Sequence, residues 1–188
     1  MTMNETLRVI NHRRSIRTFK HEQISESELQ VLLEAAIHAP SAANQQRWHF
    51  TVVQDKALLD LMVDMVKENA AKLGNEFFVK RVSAPGYHTF HNAPTVIMIS
   101  GDVKAMCIQI DCGAAAENIL IAAESLNLGA CVMASPNLLF MSEKGNELRS
   151  RLGIPDGYNH VCTVAVGYRT GDSPPMPPRN TDVITYVR

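Results

Sequence analysis

Hydrophobic and polar positions along the chain alternate between two periods, and the switches mark the elements. Leu29, Leu32, Leu33 and Ala36 recur at helical spacing after Ser25. Ser25 and Glu28 have the spacing of a capping box, so a helix opens there and ends before Pro40, since the residue before a proline is driven out of helical geometry. A shorter helix is expected over 2–12, where Met3, Leu7 and Ile10 share a spacing. Leu58, Leu59, Met62, Met65 and Val66 form the inner stripe of a helix capped by Asp55 and stopped near Leu73-Gly74. Helices are also expected over 102–127, rich in alanine and so suited to a central position, and over 142–152.

Between the helices lie short apolar runs. Residues 48–53 (Trp-His-Phe-Thr-Val-Val) are aromatic and β-branched, the composition of a strand. Residues 95–99 and 129–134 do not alternate and read as strands buried on both faces. Residues 160–168 form a further strand, and 181–186 could form a last one. From 75 to 92 the pattern fails. Phe77, Phe78, Tyr87, Phe90, His88 and His91 gather around Pro85-Gly86, which suits a lid or pocket wall. Four prolines fall within residues 172–179, so the chain there should stay extended without a partner strand.

Length and composition restrict the class. The 188 residues suit one domain, expected to span 1–188 with 169–188 as an extended C-terminal arm. Net charge is −1, which leaves no broad field to draw nucleic acid or an anionic membrane. No apolar run is long enough to span a bilayer and no secretory leader is legible, so a cytoplasmic location is expected. Cys107, Cys112, Cys131 and Cys162 make no CxxC pair and read as free thiols, and no metal site is expected.

Against this neutral background, Arg13-Arg14-Ser15-Ile16-Arg17 places three guanidinium groups and a hydroxyl within five residues. A guanidinium offers a planar fork of donors to two oxygens at once, so the cluster reads as a seat for one compact anion, such as a cofactor phosphate. A solvated basic helix end is the other reading. The loop Ala39-Pro40-Ser41-Ala42-Ala43-Asn44-Gln45-Gln46 combines small side chains, which let backbone approach a flat ligand, with the hydrogen-bonding groups of Ser41, Asn44 and Gln46. Ser135-Pro136-Asn137-Leu138 forms a turn after a buried strand, with backbone amides available to a ligand.

Three stretches together resemble the FMN-dependent nitroreductase family: RRSIRTF (13–19), APSAANQQRWHF (39–50), and the helix from Asp111-Cys112-Gly113 to the Leu128-Gly129 turn. Arg179 in the proline-rich tail resembles the family's late basic residue. The resemblance implies an α+β fold, an α/β/α sandwich on a central mixed, mostly antiparallel sheet, in an intertwined homodimer with FMN at the interface. It implies ping-pong reduction, with NADH or NADPH as donor and a nitroaromatic, quinone or similar electron-poor acceptor. By position, Arg13, Ser15 and Arg179 would hold the FMN phosphate with Arg14 beside them, and Arg17 would lie by the pyrimidine edge of the ring. Pro40, Ser41, Ala42 and Asn44 would come from the partner subunit, Gln46 would also bind the cofactor, and Ser135, Pro136, Asn137 and Leu138 would lie against the other edge. No catalytic side chain is expected, since the redox chemistry belongs to the cofactor. Related flavin-fold chemistry, such as flavin destruction or reductive dehalogenation, and FMN sensing without turnover are the alternatives. Arg47 stands where the family usually has proline, and Pro177-Pro178 occupy the neighbourhood of a second basic residue.

Overall fold

The computed structural model describes residues 4–188; Thr2 and Met3, included in the first expected helix, lie outside the described residues. Among the described residues, six α-helices and four strands follow in the order α1 (Glu5–His12), α2 (Glu26–Ile37), β1 (Trp48–Val53), α3 (Lys56–Lys72), α4 (Glu76–Val82), β2 (Thr95–Asp102), α5 (Ile108–Ser125), β3 (Leu128–Met133), α6 (Glu143–Arg151) and β4 (Tyr158–Tyr168). The helix ends follow local chemistry. Ser25 accepts from the Glu28 backbone while Glu28 takes the Ser25 amide, completing the capping box, and Asp55 accepts from Leu58 N–H at 3.0 Å. The fifth helix begins later than its apolar pattern suggests, because Gly101 and Asp102 continue β2 opposite Asn159 and Tyr158.

The strands lie in the order β1-β2-β4-β3, antiparallel throughout; parallel pairing is confined to a bridge between Ser15 and Ala130. Successive residues of β2 serve opposite faces. Val96 and Met98 join a core with α3, α4 and α6, whereas Ile97 and Ile99 join one with α2 and α5. This accounts for the unbroken apolar run, and it makes the fold a sheet between two helical layers. Ala115, Ala116 and Ala123 of α5 are buried, and Asn118 donates to the Ala35 carbonyl of α2 at 2.9 Å.

Two expectations are corrected. Phe90 is no lid residue; it is fully buried in the first core, because the chain turns through left-handed backbone at His91 and Asn92 (φ 56° and 55°). Residues 181–186 form no strand here. Arg169 is pinned to Glu124 (3.2 Å) and the Leu128 carbonyl (3.0 Å), and from Gly171 onward the tail is exposed, carrying Met176, Val183, Ile184, Tyr186 and Val187 on its surface.

Candidate functional site

The arginine-rich segment leaves α1 in extended form and settles along the edge strand. Ile16 N–H donates to the Ala130 carbonyl of β3 at 2.9 Å, and Lys20 N–H to the Tyr168 carbonyl at 2.8 Å. Ile16 and Phe19 are buried against the sheet, while Arg13 and Ser15 are half-buried and Arg17 is exposed. Arg13 approaches Glu117 of α5, Nε to Oε1 3.2 Å. Arg14 is turned elsewhere: its Nη1 donates to the backbone carbonyls of Asn11 and Arg13, both at 2.7 Å. Arg13 Nε–H faces the Glu117 carboxylate without an aligned hydrogen bond, and Arg14 Nε–H is buried with no acceptor. Such groups are expensive to bury, and an anion would satisfy them.

Beside this segment lies a cavity of about 500 Å³. Arg17 enters from one side; Cys131, Val132 and Met133 of β3 form one wall. The turn after β3 supplies Ala134, Ser135, Asn137 and Leu138, while Phe78 and Arg81 of α4 and His91 close the far side. Burial pushes the Cys131 thiol up, opposed in part by the charges of Arg17, Arg81 and Arg13 and a hydrogen bond from Ser15, so these four side chains bear on one point of β3. Burial, then the charges of Arg17 and Arg81 and of His88, lower His91 to about 4 and leave its ring neutral at pH 7. A smaller cavity of about 230 Å³ adjoins, sharing Arg17, Arg81 and His91.

Behind the turn, His160 of β4 is buried. Its Nδ1 lies 2.5 Å from Asn137 Oδ1 and its Nε2 2.7 Å from Thr163 Oγ1. An amide oxygen only accepts, so Nδ1 carries the proton and Nε2 accepts from the threonine hydroxyl. Burial, with Arg149 adding repulsion, lowers His160 to about 4.

Of the residues singled out by sequence, Arg17, Ser135, Asn137 and Leu138 meet in the cavity, with Arg13 and Ser15 at its edge and Pro136 buried under the turn. Pro40, Ser41, Ala42, Asn44 and Gln46 do not line it, nor does Arg179, which sits in the exposed tail. Residues 41–46 form their own built loop: Ala43, Asn44 and Gln46 hold left-handed backbone (φ 50°, 52° and 52°), and Ser41 Oγ accepts from Gln46 N–H at 3.0 Å. The Ala42 N–H donates to both carboxylate oxygens of Asp111 (3.2 and 3.3 Å). Non-glycine residues persist in that conformation only where surroundings hold them. Asp111→Ala is therefore expected to cost about 2 kcal/mol in a urea titration and to open residues 40–46 to protease, with Asp111→Asn losing less because its oxygen still accepts. Arg47 pairs with Asp102 (2.8 Å) and ties the end of this loop to β2.

Arg81, Cys131 and Asp111 carried no site role in the sequence, whereas Phe78 and His91, read there as lid or pocket wall, line the cavity. Only Asn75 hinted at the first: it caps α4 by accepting from Phe77 and Phe78 N–H (3.1 and 3.3 Å), a helix of seven residues too short to show a period.

A sheet between two helical layers, with an arginine-lined cavity along its edge strand, places this chain among the α+β sandwich proteins. Residues 10–168 match the profile of the Nitroreductase family, and the chain belongs to that family. A crystal structure of a nitroreductase with bound FMN from Desulfitobacterium hafniense is 36% identical and superposes with a TM-score of 0.92, covering 100% of both chains. Another, with bound FMN, from Bacteroides fragilis is 29% identical with a TM-score of 0.92, covering 98% of this chain and 100% of its own. A protein of Archaeoglobus fulgidus, provisionally named an NADH dehydrogenase/NAD(P)H nitroreductase, is 36% identical over 172 residues, 88% of this chain and 86% of its own.

Proposed function

We propose that this protein is an FMN-dependent oxidoreductase that takes hydride from NADH or NADPH and reduces a nitroaromatic, quinone or similarly electron-poor acceptor, working as a cytoplasmic homodimer. One observation carries the reading: Arg17 and Arg81 line a cavity of ligand size beside the segment of Arg13 and Ser15, and no carboxylate lines it. FMN fits this chemistry, being flat and anionic. Arg13 and Ser15 would take its phosphate, Arg14 would add charge nearby, and Arg17 would stand by the ring's oxygen-rich edge. Ser135 to Leu138 would border the opposite edge. Pro40, Ser41, Ala42, Asn44, Gln46 and Arg179 lie away from the cavity of their own chain, which suits delivery into the partner's. The exposed apolar tail beyond Arg169 would gain by packing on that partner.

Bound FMN supplies acceptance of hydride from the nicotinamide and its delivery to the acceptor. The protein's own contribution is position and field. Arg17 favours negative charge at the edge it faces, and does so more strongly where Phe78, Met133 and Leu138 hold water away. For a nitro acceptor the balance is NAD(P)H + H⁺ + R–NO₂ → NAD(P)⁺ + R–NO + H₂O.

The purified protein should be yellow, bleach with NADH or NADPH under argon, and regain colour when an electron-poor acceptor is added. Arg13→Ala should weaken FMN binding by ~2 kcal/mol, about 30-fold, measured by flavin fluorescence on dilution. A colourless preparation that takes up no added FMN would overturn the reading.

A further inference from the structure

Two guanidiniums at this site have no counter-charge. Arg17 makes one long contact, Nη1 to the Ser15 carbonyl at 3.5 Å, and neither it nor Arg81 forms an ion pair among the described residues. No carboxylate lines the main cavity or the smaller one beside it. If Arg17 faces the cofactor, Arg81 is left over. Its place in the last turn of α4 favours a cation there, but that weak effect does not explain why Arg81 borders both cavities. His91 borders both as well, held by left-handed backbone, and the charges of Arg17 and Arg81 both reach it. An aromatic acceptor in the main cavity would have its substituent within range of this mouth, walled by Tyr87 and Pro85 on the far side.

We propose that Arg81 and His91 select the acceptor: the mouth between the two cavities recognises an anionic substituent (carboxylate, sulfonate or phosphate) on the electron-poor ring. This rests on the flavin reading above, and Arg81 acts on specificity without taking part in hydride transfer. A guanidinium meeting a fixed anion makes charge-assisted hydrogen bonds, which a neutral isostere forgoes. An anion seated there would also favour protonation of His91, adding a donor.

The test pairs 4-nitrobenzenesulfonate with 4-nitrobenzenesulfonamide, the same ring with and without the charge. For the holoprotein, kcat/KM for the sulfonate should exceed that for the sulfonamide by about tenfold, and Arg81→Gln should bring the ratio close to one. Flavin content per protein, the rate of bleaching by NADH, and the NADPH-to-NADH preference should not change in the variant. An equal ratio in wild type and variant would overturn the proposal. Loss of flavin from Arg81→Gln would overturn it too, by giving Arg81 to the cofactor, and a shifted NADPH-to-NADH preference would give it to the donor instead. Calorimetric titration with 4-nitrobenzenesulfonate reads the anion site independently. Binding that Arg81→Gln abolishes supports the site even in a preparation without FMN, which would sink only the parent reading.

Discussion

Replacing Gly129 by valine is expected to lower stability by about 3 kcal/mol and to strip the site of its cofactor. Gly129 of β3 is paired with Gly167 of β4, so the sheet presents two adjacent positions without side chains. Ile16 and Phe19 fill that space. A Cβ at Gly129 would stand 2.7 Å from Ile16 Cγ2, 3.1 Å from Ile16 Cβ and 3.2 Å from Phe19 Cε1. Ile16 cannot simply swing aside, because the crowded atoms are at its branch point and its own N–H is bonded to Ala130. Relief requires the backbone of residues 15–19 to lift, and Arg13, Ser15 and Arg17 lie on or next to that backbone. Alanine should give a smaller version of the result. Denaturant midpoints and flavin absorbance at equal protein concentration check it; wild-type values of both in Gly129→Val would show that this packing does not set the arginines.

The same segment shows how far a sequence alone can carry the argument. Arg13, Ser15, Arg17 and the turn from Ser135 were legible because each sits in a short motif whose chemistry is local, and the fold then brings them to one strand edge. The two faces of β2 were legible in its unbroken apolar run. What escaped was long-range or brief. Phe90 reads as a loop aromatic until the left-handed turn at His91 and Asn92 sends it into the core. Arg81 rides on a helix of two turns, too short for periodicity to register. Asp111 carries no signal that its carboxylate will grip an amide 69 residues earlier. The loop of residues 40–46 and the tail with Arg179 do not line the cavity of their own chain, so neither periodicity nor the fold assigns them a role.

Acid should destabilise the protein well before its carboxylates titrate, and His160 should be the main cause. At pH 7 its imidazole is neutral whether the chain is folded or not. As pH falls below about 6.5 the unfolded chain takes up a proton that the folded protein refuses until about 4, so unfolding gains with each step down. Across that window the loss approaches 3 kcal/mol at 1.36 kcal/mol per unit, and it levels off below pH 4. His91 shifts the same way but stands at a cavity wall, where solvent moderates its share. The perturbed carboxylates Glu28 and Asp102 are lowered from values near 4, so their losses come at lower pH and do not confuse the interval from 6.5 to 5. Thermal unfolding of His160→Gln should therefore begin from a lower midpoint at pH 7.5, since the bonds to Asn137 and Thr163 are weakened, yet fall less steeply toward pH 5 than wild type. An identical slope would move the acid sensitivity elsewhere. The added proton goes to Nε2, so it costs the bond from Thr163 while Nδ1–H still donates to Asn137, and the wall of the site that Asn137 forms stays held.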